Sequence, residues 1–175
     1  MYEYKNLNYG YVIITPENDP KLVKITASSI KMKQSDASII CVTRHDIDSD
    51  SEKEIKNICA CFRGQNTYTS LLTKGMENCP SEWNLYVISG TFFENKIQKK
   101  YSHFVESDKD ILFPVVNRKI NFVEGTLNGI LMHRNAFKDI GCFLESNSLE
   151  KSKTIWSHNA VCSGYRFKAI VGTKF

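Results

Sequence analysis

Asp-x-Asp strings occur at Asp46-Ile47-Asp48, Asp48-Ser49-Asp50 and Asp108-Lys109-Asp110. Paired carboxylates matter because a hard divalent cation takes oxygen ligands. The last string precedes an apolar run and reads as a solvated turn. The first two stand just before a helical segment, where acids commonly cap the helix or face its dipole. Glu17 and Asn18 fall in Pro16-Glu17-Asn18-Asp19-Pro20 at the end of a strand. An Asx-type turn and contact with a ligand are both readings of that composition.

Cationic and aromatic candidates lie further along. His45 and His133 fall near predicted strand ends and could meet a phosphate-bearing ligand, but neither has a partner at metal-ligand spacing, which leaves a surface or packing role for each. Arg134 follows a strand and is permanently charged, so it is the better phosphate candidate, with plain exposure as its alternative. Trp156, on the last predicted helix, reads either as a core residue or as a stacking surface for a ligand. The six cysteines form no CxxC pair, and Cys41, Cys59 and Cys162 sit inside apolar segments, so reduced packing thiols are expected.

These side chains need a scaffold, and the hydrophobic pattern supplies one. Tyr11 to Thr15 reads as a first strand, broken by the proline-flanked turn. Leu22, Ile25, Ser29 and Ile30 follow at helical spacing. Ala37 to Thr43 reads as a strand buried on both faces, as parallel strands usually are. The next helix carries Ile55, Ile58 and Phe62, and another covers Tyr68 to Met76. Leu85 to Ile88 is a short apolar run closed by Ser89-Gly90-Thr91, which suits a buried strand ending in a tight turn. Ligands gather at such strand ends in open α/β sheets.

Beyond a polar stretch from Glu94 to Asp110, Ile111 to Val116 reads as a strand that Pro114 assigns to a sheet edge. Leu127 to Met132 is a further strand, leading to a short helix near Asn135 to Asp139 that Gly141 ends. A helix over Leu149 to Ser163 and a strand over Tyr165 to Val171 close the chain. Strand, helix, strand, helix, helix, strand in the first half argues a parallel sheet with helices on both faces.

At 175 residues, with no repeat, low-complexity tract or linker, a single domain over 1–175 is expected. Hydrophobic residues at 42% and charged residues at 24% are ordinary for a soluble globular protein. The net charge of +4 is mild and its lysines and arginines are scattered, which argues against a nucleic-acid partner. Apolar runs fall far short of the ~20 residues that span a bilayer. The N-terminus lacks the basic start and apolar stretch of a secretory signal, so a cytoplasmic protein is expected.

The order of these segments resembles the nucleotide-diphospho-sugar transferase fold, and within it the family-2 type inverting glycosyltransferases of the GT-A architecture. YVIITPENDPKLVKITASSIK is similar to that family's first strand, Asn-containing turn and helix. Asp46-Ile47-Asp48-Ser49-Asp50 resembles its Asp-Gly-Ser-x-Asp element, and GQNTYTSLLTKGME its Asn-rich turn and following helix. GTLNGILMHRNAFKDIGCF is similar to the segment that ends in an Ile-Gly-Gly-Phe corner, and LEKSKTIWSHNAVCSGYRFKAI to the helix ending in Gly-Tyr-Arg. The resemblance implies an α/β GT-A domain with a central mixed, mostly parallel sheet flanked by helices.

It also implies a UDP- or GDP-sugar donor and an unknown acceptor, with Glu17, Asn18, Asp46, Asp48, Ser89 and Thr91 toward the nucleotide and His133, Arg134, Lys151 and Trp156 toward the diphosphate or acceptor. Two departures bear on chemistry. The family's central strand ends in Asp-x-Asp, which holds manganese or magnesium on the diphosphate; here the corner is Ser89-Gly90-Thr91, a degenerate form without a carboxylate. The family's Glu-Asp, whose Asp is the general base, appears as Glu150-Lys151. Lysine is no base unless its pKa is strongly depressed. Glu150 is then the remaining carboxylate for that role, and a dipole partner at a helix start is its other reading. Transfer would be metal-independent or weak, and a catalytically inactive binding or structural protein is the alternative.

Overall fold

The computed structural model describes residues 7, 9–93, 101–115, 128–144 and 148–171. Its strands are β1 (Tyr9–Thr15), β2 (Ser38–Arg44), β3 (Ala60–Gly64), β4 (Trp83–Ile88), β5 (Asp110–Pro114), β6 (Ile130–His133) and β7 (Arg166–Ile170). They form one seven-stranded sheet in the order β3-β2-β1-β4-β6-β5-β7. Parallel ladders join β1 to β2 and β4, β2 to β3, and β5 to β7. β6 is antiparallel to both of its neighbours, β4 and β5, so it alone runs against the rest. The sheet is mixed and mostly parallel, as expected.

Alternation along the strands divides the core into two layers. Tyr9, Tyr11 and Ile13 of β1 face α1 (Pro20–Lys33) and α2 (Ser49–Lys56), packing with Val23, Ala27, Ile30 and Ile55. Val12 and Ile14 face the other way, toward α3 (Tyr68–Glu77), α4 (Asn135–Ile140) and α5 (Leu149–Cys162). There they pack with Leu71, Leu72, Met76, Ala136, Trp156 and Ala160. Because both faces of β1 are covered, every residue of YGYVIIT is buried. Gly75 lets α3 lie close on β1, since a Cβ at that position would meet Val12 Cγ1 at 2.6 Å.

The structure corrects three expectations. The helix expected to carry Ile58 and Phe62 ends at Lys56, and Ala60–Gly64 is instead the edge strand β3. Its backbone pairs the outer edge of β2, Cys61 opposite Cys41, which a longer helix would leave open. Pro114 does not mark an edge strand: β5 lies between β6 and β7. Val115 N–H donates to Ile170 O, so the Pro114 nitrogen points to the β6 side, beyond that ladder's last pair at Leu112 and Leu131. No donor is missed there.

Asp110 is not a solvated turn residue. It is fully buried, accepting from the backbone N–H groups of Glu106 and Ser107, from Arg166 and from Lys168. Residues 94–100, and the ends of two expected strands at Val116 and Leu127, lie outside the described residues. The cysteines that are described are all free thiols, with Cys41 buried and Cys142 and Cys162 exposed.

Candidate functional site

The carboxyl ends of the parallel strands share one edge of the sheet, and an open depression of about 460 Å³ lies there at the ends of β1 and β2. Glu17, Asn18, Arg44, Asp46, Asp48 and Ser51 are among its lining. Two helices begin at its rim, and each is closed by an aspartate. Asp19 Oδ1 accepts the Lys21 N–H at 2.8 Å at the start of α1. Asp48 Oδ1 accepts the N–H of Ser51 at 2.8 Å and of Asp50 at 3.1 Å at the start of α2. The hydrogen bond from the Ser51 N–H is the main reason the Asp48 carboxyl is held below the usual carboxylate range.

Asn18 connects the strand ends. Its backbone takes the left-handed region at φ 56°, which asparagine tolerates better than most residues. That places Oδ1 2.9 Å from the Arg44 backbone N–H, which it accepts, and Nδ2 3.3 Å from Asp46 Oδ1. Asp46 Oδ2 in turn accepts from Arg44 Nη2 at 2.5 Å and from Asn66 Nδ2 at 3.2 Å. Asn66 Oδ1 meets Arg44 Nε at 3.4 Å and His45 Nδ1 at 2.8 Å. The turns after β1, β2 and β3 are thus tied by one polar network. Arg44 and Asn66 were not singled out from sequence; the only signal was that each falls at or just past a strand end.

The Ser89-Gly90-Thr91 corner after β4 is committed internally. Ser89 N–H donates to Ile14 O, Gly90 N–H to Leu22 O and Thr91 N–H to Ile88 O. Gly90 has φ 90°, a conformation that glycine takes at little cost. The buried Thr91 hydroxyl pairs with the Asn128 carboxamide, whose Oδ1 also accepts the Ile88 N–H at 2.8 Å. A divalent cation does not fit this donor set. The corner has no carboxylate, Thr91 Oγ1 is taken, and among the described residues no three His, Cys, Asp or Glu side chains converge to hold a metal.

The structure separates the remaining candidates. α5 runs into β7, and Lys109 Nζ holds the Ser163 carbonyl just past its end, beside the start of β5. Its first turn therefore stands roughly 20 Å away, at the strand-end edge that carries the depression. Glu150 and Lys151 are exposed there, with Ser148 Oγ capping the Lys151 N–H. His133 and Arg134 lie at the opposite edge. β6 is antiparallel, so His133 pairs with Trp83 at the beginning of β4, and Arg134 N–H donates to Glu82 O. Trp156 is buried at 1% exposure, stacked on Phe143 at 4.4 Å, with Nε1 donating to Gly141 O. It has no face for a sugar.

No protein-family model matches the chain, and no curated protein matches it in sequence. Solved structures do match in shape. A 4-diphosphocytidyl-2C-methyl-D-erythritol synthase from Anaerococcus prevotii has a TM-score of 0.65 at 12% identity, over 97% of this chain and 89% of that one. A nucleotidyl transferase from Methanothermobacter gives 0.65 at 10% identity, over 97% and 88%. S. aureus TarS in complex with UDP gives 0.55 at 14%, over 96% of this chain and 61% of that one. At such identities the likeness establishes the fold, which is the nucleotide-diphospho-sugar transferase fold. No helix among the described residues is long and apolar enough to cross a membrane.

Proposed function

We propose that this chain is a nucleotide-binding protein of the nucleotide-diphospho-sugar transferase fold, holding the nucleoside half of its ligand at the carboxyl ends of β1 and β2. The observation that carries this reading is the contrast between two neighbouring strand ends. The Asn18–Arg44–Asp46 network, though paired within the protein, lines an open depression with Arg44 and Asp46 still exposed to a ligand, whereas at the β4 corner the backbone N–H groups and the buried Thr91 hydroxyl are turned inward. Fixed donors and acceptors in a concavity are what orient a small ligand. The ligand is a sugar nucleotide of the UDP or GDP type, in keeping with the resemblance to family-2 glycosyltransferases and with a neighbour of the same fold solved with UDP.

Inverting sugar transfer without a metal is the second reading, and the placement of Glu150 favours it. The carboxylate is exposed on the strand-end edge, in the first turn of α5. In that reaction the acceptor hydroxyl oxygen attacks the anomeric carbon, its proton passes to Glu150, and the bond to the diphosphate breaks so that the nucleoside diphosphate leaves. Lys151 and the Ser89 hydroxyl supply the compensating donors at that edge. Thermal shift with UDP and GDP, followed by turnover assays on a sugar-nucleotide panel with and without manganese, tests both. Stabilisation with turnover supports transfer, and stabilisation without turnover supports a binding protein. No shift with any nucleotide overturns both readings.

A further inference from the structure

The depression is short of donors and rich in acceptors. Glu17, Asp19, Asp46 and Asp48 all line it, against the single guanidinium of Arg44. The N-terminus of a helix normally offers free N–H groups to a phosphate. Here the Lys21 N–H of α1 is answered by Asp19, and the Asp50 and Ser51 N–H groups of α2 by Asp48. A phosphate placed there would meet four carboxylates, two of them capping the helix termini that would otherwise receive it, so the part of a ligand that enters is expected to be uncharged. That fits a base or ribose, with the phosphates outside.

The same chemistry distinguishes between bases. The exposed Glu17 carboxylate has no partner among the described residues, and it stands one residue before the Asn18 that organises the site. A free carboxylate presents two parallel acceptors, the shape met by two adjacent N–H groups. Guanine carries such a pair, its ring N1–H and exocyclic amine. Uracil offers one N–H between two carbonyls, and cytosine offers its amine beside an acceptor nitrogen. Arg44 spends Nη2 on Asp46 and Nε on Asn66, leaving Nη1 as a donor for the guanine carbonyl.

We infer that the depression selects guanine over uracil and cytosine through Glu17, with Arg44 as the complementary donor. This rests on the nucleotide-binding reading above and assigns it a base. The test is calorimetric titration of the intact chain with guanosine, uridine, GDP and UDP, repeated on Glu17→Gln. Guanosine should bind roughly tenfold more tightly than uridine, the discrimination expected of one bidentate pair. GDP should exceed guanosine by no more than a few-fold. Glu17→Gln should bring the guanosine-to-uridine ratio near one while leaving the melting temperature of the free protein unchanged. Uridine binding as tightly as guanosine, or a ratio that survives Glu17→Gln, overturns the base assignment and leaves nucleotide binding standing. No binding by any of the four overturns both.

Discussion

Asn18 Oδ1 accepts the backbone N–H of Arg44 at 2.9 Å, so that one side chain joins the turn after β1 to the last residue of β2. It does so from a left-handed backbone at φ 56°. Asn18→Ala removes the bond and leaves the strained backbone, and is expected to lower unfolding free energy by about 2 kcal/mol. Asn18→Gly removes the bonds to Arg44 and the exposed Asp46 carboxylate without the strain, and should cost about 1 kcal/mol. Urea titration checks the order, and equal losses would refute the contribution of strain.

Restoring the Asp-x-Asp pattern by substitution is expected to fail at one of its two positions. Thr91 is 7% exposed and paired with Asn128, so Thr91→Asp buries a carboxylate that can still accept from Asn128 Nδ2 but has no hydrogen for Asn128 Oδ1 and no cation beside it among the described residues. A loss of about 3 kcal/mol is expected, without gain of manganese affinity. Ser89→Asp, on a partly exposed residue, should stay within about 0.5 kcal/mol of the parent. Calorimetric melting with and without manganese compares the two; a stable Thr91→Asp protein that binds the ion contradicts the assignment.

Gly75→Ala sets helix propensity against packing. Alanine improves an isolated helix by about 1 kcal/mol. Its Cβ would sit 2.6 Å from Val12 Cγ1, between α3 and the centre of the sheet. Overpacking of this kind costs about 1–3 kcal/mol, so net destabilisation is expected in denaturant unfolding, and a stabilised variant would show that α3 can lift freely.

Acid sensitivity follows from Glu52 and Asp110. Hydrogen bonds from Arg63 and then Lys56 pull the Glu52 carboxyl from 4.5 to about 2. Burial pushes Asp110 upward, but the Glu106 N–H, Lys168 and the Ser107 N–H together outweigh it, and the net direction is down. Both groups bind protons more readily in the unfolded chain, so stability rises with pH through their range. The Glu52 contribution is complete above about 4.5 and is lost as the pH falls toward about 2. Melting temperature should therefore fall steadily as the pH drops below about 4.5, with Glu52→Gln and Asp110→Asn each flattening the slope. Asp110→Asn should also cost about 2 kcal/mol at neutral pH, because a fully buried carboxylate loses its ion pairs with Lys168 and the half-exposed Arg166.

The expected α/β fold and its mostly parallel sheet were legible because β1, β2 and β4 are apolar runs bounded by turn chemistry, and such runs admit few partners. β3 was not, since Ile58 to Phe62 fits a helical stripe as well as an edge strand, and only the open side of β2 decides between them. Glu17, Asn18, Asp46 and Asp48 were legible as a group because turns after parallel strands collect on one edge. The positions of His133 and Arg134 were not, for strand direction is a property of pairing that no local pattern carries. Trp156 and Asp110 show the same limit: the residue type suggested contact with ligand or solvent, while packing at a distance in sequence buried both.

The reversed strand has a consequence for how the chain finds its fold. Since β6 enters the sheet between β4 and β5, none of the ladders among the described strands closes through a tight turn; each waits for a helix or a long connecting segment to be laid down. Assembly driven by such distant pairings is slow, because loop closure must precede the contacts that reward it. β4 is the meeting point, parallel to β1 on one side and antiparallel to β6 on the other. The two halves of the chain therefore complete each other's sheet edge late and together, and a half folded by itself would present β4 as an open, apolar template for other chains.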